Sequence, residues 1–441
     1  MVYDMIVLGA GAAGLFAGAS VAAPVRGLFL EKSASPGKKL LMSGAGQCNL
    51  THGGDIADFV PHYGRNGSRI RPVLYRFNNR SVVDFFAARG VSLFEREDGK
   101  VFPVSLRARD VLDALLAACR SNGFEFRYSC AADGIVAGSD DHGPVFSVHG
   151  AGEVFAARKL VVATGGCSYP GTGSDGSIFP VLEKMGISVI APKPALVPIP
   201  VRGYPYADLS GIAFPGVSVV LRSPEDAPGN ASGASAAGAS GSQRDSGSGG
   251  KKTMIAENSG DLLLTHTCFS GPAILDISRY ASVGDLLSVD YLPSLNAEDI
   301  LRDLKALAPG NRKQFVTVLS EYLSGVCGRL SCAAIPKRFL EAVCLRSGTD
   351  GTLNLSQLGL PALKAVISAL KRDTYVVSGT GSFANAMATA GGVSLDEINI
   401  RTLESKKYPG LYFAGEALDV DGDTGGYNLQ FAFSSGNLVV G

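Results

Sequence analysis

Three glycines spaced as Gly9-x-Gly11-x-x-Gly14 stand between an apolar run, Tyr3 to Leu8, and an alanine-rich stretch that reaches Ala22. The first has the length of a short buried strand and the second that of a helix, so the glycines lie where a strand turns into a helix. Gly9 permits the tight turn, Gly11 lets backbone approach a pyrophosphate, and Gly14 lets the helix pack closely on the strand. The helix start, with Ala12 and Ala13, offers unsatisfied N–H groups and the positive end of the helix dipole to phosphate. A second strand, Gly27 to Leu30, ends at Glu31, with Lys32 next to it. The distance from the glycines is about the 20 residues at which an acidic side chain accepts from ribose hydroxyls. A carboxylate there repels a 2′-phosphate, so the unit suits a dinucleotide with a free ribose.

Two further stretches share the glycine spacing. Gly171-x-Gly173-x-x-Gly176 follows Pro170 and lies several residues beyond its strand, which predicts a loop. Gly379-x-Gly381-x-x-Ala384 follows the apolar run Tyr375 to Ser378, but Gly391-Gly392 leave no room for a full β-α-β unit, which predicts a sheet-return loop. Cys48 is the candidate catalytic thiol, with packing in a tight glycine loop as the alternative. Cys167, His52, Tyr169 and Tyr427 are further candidates for redox, acid or stacking roles, each weighed against a lining or backbone-paired role. Asp419, Asp421 and Asp423 alternate as in a calcium loop, but the glycine is at the wrong offset and no closing Glu follows.

The composition bounds what these residues serve. A chain of 441 residues, 46% hydrophobic and 18% charged, is long enough for two or three domains with large cores. Lys+Arg and Asp+Glu both number 40, and no basic stripe is visible, so no nucleic-acid partner is expected. No stretch approaches the roughly 18 apolar residues that span a bilayer, so membrane insertion is not expected. The first residues, interrupted by Asp4, do not read as a signal peptide. The 8 cysteines contain no C-x-x-C pair and the 5 histidines are scattered; this predicts reduced thiols in a cytoplasmic protein and no metal.

The elements that must position the candidates follow from the texture of the chain. Helices are predicted at 82–88, 106–119, 297–307, 312–323, 336–347 and 428–440, and strands at 125–128, 145–149, 160–163, 217–221, 262–265, 286–292 and 411–414. Prolines punctuate the chain from Pro192, and 223–252 is dominated by Gly, Ser and Ala, a composition that predicts a flexible loop. The expected fold class is therefore α/β: a Rossmann-type nucleotide-binding domain in two parts, 1–190 and 373–441, interrupted by an inserted domain at 191–372.

Four segments carry a resemblance to a known family. They are the Gly9 to Glu31 unit, the stretch Gly37 to Thr51 with its Ser43-Gly-Ala-Gly-Gln-Cys-Asn49 core, the run Ala163-Thr-Gly-Gly-Cys-Ser-Tyr-Pro170, and the run from Gly410 through Gly415 and Glu416 to Gln430. Together the chain resembles, nearly end to end, the bacterial NAD(P)/FAD-dependent oxidoreductases that include aminoacetone oxidase and bile-acid-pathway flavoproteins. The resemblance implies bound FAD, a β-barrel-like and helical insertion, and redox chemistry on a small-molecule substrate with NAD(P)H as a possible donor. The alternatives are an oxidase that uses O₂ on amines and a non-catalytic flavin-binding interaction protein. It also implies that Lys38, Lys39, Cys48 and Asn49 lie along the FAD, that Thr164 and Gly165 continue the pocket, and that Ala132 meets the adenine end. Glu416, beside Gly415, would bond the ribityl or ribose region, and Asn428, Leu429 and Gln430 would open the last helix near the flavin ring. The chain departs from the family's pattern at Gln47, where Arg is usual, at His52, where Asn is common, and at Phe431 and Phe433, where tryptophans are usual. The first of these removes a positive charge near the ring.

Overall fold

The computed structural model describes residues 2–224, 254–330 and 335–440; most of the 223–252 segment therefore lies outside the described residues. The chain divides into two units, Met1–Leu196 with Ser382–Gly441, and Val197–Gly381, each with its own core.

The first unit is built on β1 (Val2–Leu8), α1 (Ala12–Ala19), β2 (Gly27–Leu30), β3 (Phe124–Arg127), β4 (Glu153–Val162), β5 (Leu411–Phe413) and α2 (Tyr427–Leu438). The strands lie in the order β5-β4-β1-β2-β3, and every neighbouring pair is parallel. Continuous apolar runs suit this arrangement, because a parallel sheet is covered on both faces. In β1 the residues Met5 to Leu8 are all buried, as is every residue of β2. Each fully buried Leu, Ile, Val or Phe here contributes about 1.5–3 kcal/mol relative to an exposed one. The pair Ala132–Asp140 and Gly143–Gly150 adds an antiparallel ribbon to β4, and two short strands extend the far edge beyond β5.

α1 ends at Ala19 with Ser20 as its C-cap, short of the Ala22 that the alanine-rich run reaches, and Pro24 follows. Its residues Ala13 to Ala19 are buried, and Gly14 and Gly436 let it lie against its neighbours. A Cβ on Gly14 would come within 2.1 Å of Gly9 O, and one on Gly436 within 2.5 Å of Ala13 O.

The unit boundaries differ from those expected. Val189–Ala195 pairs antiparallel with Ala388–Val393, so both stay in the first unit and carry its limits past 190 and inward to 382. Asp373–Val376, read from sequence as the return to the nucleotide-binding domain, instead pairs with Leu286–Asp290 in the second unit.

That second unit holds a five-stranded antiparallel sheet, in the order Phe269–Ser270, Met254–Leu264, Ala213–Arg222, Leu286–Asp290, Asp373–Val376, together with helices Ala297–Leu307, Phe315–Leu330, Lys337–Arg346 and Leu360–Lys371. The two edges of this sheet are joined through residues 199–202, Ile199 bridging Phe269 and Val201 bridging Val377, which gives the insertion the barrel-like closure expected of it. In its interior the fully buried Asp373 accepts through Oδ2 from the hydroxyls of Tyr206 (2.7 Å), Tyr291 (3.1 Å) and Tyr375 (2.5 Å), while Oδ1 pairs with Arg346. No helix among the described residues is long and apolar enough to cross a membrane.

Candidate active site and cofactor cavity

Ligands of open parallel sheets bind at the carboxyl ends of the strands. A cavity of about 600 Å³ lies there, lined by residues that follow β3 (Cys130–Ala132), β2 (Glu31, Lys32), β1 (Gly9–Ala13), β4 (Ala163–Gly165) and β5 (Ala414–Glu416). Five adjacent strands spaced about 4.8 Å apart span roughly 19 Å, so the cavity suits an extended ligand rather than a single nucleotide.

Its centre is the glycine turn. Gly9, at φ 93°, is a position only glycine occupies without strain, and a Cβ there would meet Ala163 O at 2.6 Å. A Cβ on Gly11 would meet nothing within 4 Å; the open side of the turn faces the cavity. Glu31 is nearly buried and braces the turn itself: Oε2 accepts from Ala10 N at 2.7 Å and Oε1 from Ser33 N at 2.7 Å. Each carboxylate oxygen keeps a further lone pair for a ribose hydroxyl. Lys32 pairs with Asp175 at the same end.

On the other side of the turn a polar hub forms. Glu416 Oε2 pairs with Lys39 Nζ at 2.5 Å, and Oε1 accepts from Ser168 Oγ at 2.8 Å and Thr389 N at 2.6 Å. The fully buried Thr389 holds the hub by accepting from Cys167 N and Ser168 N at 2.8 and 3.0 Å. The loop Asp423–Gly426 and the first turn of α2, with Asn428, Leu429, Phe431 and Ala432, close the cavity. Gly426, at φ 105°, caps α2, and a Cβ there would meet Thr51 O at 2.5 Å.

The lining carries three buried polar atoms without a hydrogen-bond partner: Asn49 Oδ1, Thr164 Oγ1 and Ser174 Oγ. Each such group costs about 1–3 kcal/mol if left unpaired. Three of them on one cavity fit a polar ligand with several donors and acceptors, as FAD has, and the glycine turn fits its pyrophosphate.

Of the residues named from sequence, Gly9, Gly11, Ala12, Ala13, Glu31, Lys32, Lys38, Lys39, Asn49, Ala132, Thr164, Gly165, Gly415, Glu416, Asn428 and Leu429 line this one cavity. Three do not. Gly14 packs α1 onto β1. Gln430 turns into the core, where Oε1 accepts from Thr51 Oγ1 at 2.6 Å and Nε2 donates to Phe77 O at 3.1 Å and Ser434 Oγ at 2.9 Å. Cys48 is fully buried, and burial pushes its thiol up to about 12, with a Ser43 hydrogen bond only partly offsetting that. Cys48 does not line the cavity, and a thiol held protonated is a poor nucleophile near neutrality. His52 is held between Gly53 O (3.1 Å) and Asp98 O (3.0 Å), and its ring stacks on Tyr427. Tyr169 lines the cavity, and burial raises the Cys167 thiol.

Sequence reasoning missed several contributors. The Gly171–Gly176 stretch is a loop, as read, but Thr172 to Ser177 line the cavity; its glycine pattern was the available signal. Gln47 accepts from Arg96 Nη2 at 2.6 Å, and Arg96 lies on the Phe102 ring at 3.9 Å, so a guanidinium from a distant segment reaches the position where a positive charge seemed lost. His62 and Asp423 pair across the chain at 2.9 Å. Among the described residues no cluster that could hold a metal ion is present.

Comparison with known proteins agrees with this geometry. The family model described as the HI0933-like protein Rossmann domain matches residues 3–440. The chain is 30% identical over 438 residues to the ribosomal RNA dihydrouridine synthase of Escherichia coli, covering 98% of this chain and 96% of that one. It is 28% identical over 437 residues to the Haemophilus influenzae protein of the same name, covering 98% and 96%. It is also 28% identical over 442 residues to the 3-dehydro-bile acid delta(4,6)-reductase of Clostridium scindens, covering 98% and 97%. With a strand–glycine turn–helix unit, a ribose-side carboxylate and a cavity along five parallel strands, the chain belongs to the HI0933-like Rossmann family and is an FAD-dependent oxidoreductase.

Proposed function

We propose that the chain reduces a ring carbon–carbon double bond conjugated to a carbonyl, with a reduced nicotinamide as the electron source. The observation that carries this reading is chemical. Making dihydrouridine from uridine and reducing the 4,6-double bonds of a 3-keto bile acid are one reaction type on two rings, and relatives of both names match nearly the full chain. When bound and reduced, FAD supplies the hydride equivalent.

The residues of the chain divide the remaining work. Glu31, Lys32 and Cys130–Ala132 would take the adenosine end, and the N–H groups of Gly11 to Ala13 the pyrophosphate. Lys39, Thr164 and Glu416 would take the ribityl region. Asn49, the Asp423–Gly426 loop, Asn428 and Leu429 would border the ring, with the N-terminal end of α2 favouring added negative charge there.

A second reading narrows the substrate to uracil within RNA. The whole-chain charge is balanced, but Ala297 to Arg372 contain 11 Lys and Arg against 6 Asp and Glu, a local excess of the kind that attracts a phosphate backbone.

The test is anaerobic. The FAD-loaded protein is reduced with NADH or NADPH and then mixed with a 3-keto-4,6-diene steroid, ribosomal RNA or an amine. Reoxidation by a conjugated ring carbonyl, with a product gaining two hydrogens, is expected. Reoxidation by RNA and not by steroid selects the second reading. Peroxide formation with amines in air, with no response to either alkene, overturns both in favour of an oxidase.

A further inference from the structure

We propose that His62 and Asp423 form a proton path from solvent to the cavity, an inference that rests on the reductase reading. Reducing a conjugated double bond puts a hydride on one carbon and sends the π electron pair toward its neighbour and the carbonyl, where a proton must arrive. The reduced nicotinamide supplies the hydride equivalent but not this second hydrogen, so one proton per double bond is drawn from water. A substrate carbon covered by the flavin needs a titratable group that reaches it and a second that resupplies that group from water.

Among the described residues, His62 and Asp423 form such a pair at the ring end of the cavity. Asp423 lines the cavity in the loop ahead of α2. His62 does not line it, and its side chain is 39% exposed against 23% for Asp423. His62 Nδ1 lies 2.9 Å from Asp423 Oδ2. The two are also tied through backbone, Asp423 N donating to His62 O at 2.9 Å. The His62 ring is fixed flat against Tyr427, centroids 4.0 Å apart and planes 14° from parallel, and Tyr63 anchors that element by donating to Tyr427 O at 2.8 Å. A surface ion pair used only as a staple gains little and is held loosely. This pair is oriented by a ring stack and a backbone bond, with Asp423 on the cavity and the more exposed His62 outside its lining.

The step balances as follows. Protonated His62 passes the Nδ1 proton to Asp423 Oδ2, and the carboxylic acid gives its proton to the substrate carbon that carries the electron pair. The carboxylate and neutral imidazole remain, and His62 regains a proton from water. Asp423 is the group placed to reach substrate; His62 acts through it.

The experiment measures the two half-reactions separately by stopped-flow, on FAD-loaded wild type, His62→Ala, His62→Gln and Asp423→Asn, with the alkenone that reoxidises the wild type. Glutamine keeps a donor toward Asp423 but cannot carry a proton, and it serves where alanine loosens the loop. Expected are unchanged flavin reduction by nicotinamide in the two His62 variants, and in all three variants reoxidation slowed on the order of 10²-fold, the low end for loss of a positioned acid. Added imidazole should restore His62→Ala and not Asp423→Asn. Reoxidation at the wild-type rate in His62→Gln, or a loss that tracks weakened FAD binding and does not respond to imidazole, overturns the path alone. A wild type that no alkenone reoxidises overturns the reductase reading and the path with it.

Discussion

Asn428 brackets the backbone of Gly422: its Oδ1 accepts from Gly422 N at 2.8 Å and its Nδ2 donates to Gly422 O at 2.8 Å. The side chain that opens α2 thereby fixes the loop that closes the cavity. Asn428→Ala removes both bonds and leaves a buried amide and carbonyl to find water, at about 1–3 kcal/mol. If the loop's shape is what FAD binds, affinity falls about tenfold to a hundredfold. Flavin fluorescence titration reads this, and an unchanged Kd with a lowered unfolding midpoint would assign Asn428 to the fold alone.

The glycine turn separates folding from binding. Gly11→Ala places a methyl in open space, so the apoprotein should unfold at the wild-type midpoint while FAD retention on purification is lost. Gly14→Ala drives a methyl into Gly9 O, and it should lower the unfolding midpoint and expression, since overpacking costs about 1–3 kcal/mol or more. Equal stability of the two variants would show that the close approach at Gly14 is relieved.

Cys48→Ala should leave flavin reduction and turnover within about twofold, because the thiol neither lines the cavity nor ionises near neutrality. The folded thiol keeps its proton where an unfolded one, with a value of 9.0, loses it. Stability from this group is therefore complete below about pH 9 and is lost as pH rises toward about 12. Mass spectrometry after brief alkylation at about pH 9, where the unfolded thiol is half ionised, should find Cys48 unmodified in the native protein and modified in urea. Rapid native labelling at this residue is the contrary result.

In the second unit, Asp373→Asn should cost about 3–5 kcal/mol, the range for breaking one side of a buried ion pair. Three tyrosine hydroxyls and Arg346 converge on that carboxylate. Urea unfolding followed by tyrosine fluorescence checks this, and Asp373 is far enough in sequence from the glycine turn that bound FAD should still protect the first unit from proteolysis.

Local chemistry made much of this architecture legible in sequence. The strand Gly27–Leu30 and the helix Ala297–Leu307 end where the pattern ends them, the latter because Asn296 caps it with an Oδ1 bond to Glu298 N at 2.7 Å. The glycine turn and Glu31 were readable because their spacing is fixed by the ligand they fit. The helix Gly67–Arg76 was not, because Pro72 inside it reads as a breaker. The helix Leu360–Lys371 was also passed over, although Gly359 and Pro361 mark its start. Ala132–Asp140 escaped notice as a strand because Gly134 and Gly138 weaken its pattern, and pairing with Gly143–Gly150 supplies what local preference does not. At the site, the polar hub around Glu416 and the His62–Asp423 pair join residues hundreds of positions apart, and no local pattern announces such meetings.

β5, the Glu416 hub and α2 come from the far end of the chain, yet β5 takes its place beside β4 in the middle of the sheet. During synthesis the glycine turn and its ribose-side carboxylate emerge early, while the other wall of the cofactor's berth is still untranslated. The growing polypeptide must hold an uncovered sheet edge at β4 until residues 411–438 leave the ribosome, with the intervening unit free to fold in the interval.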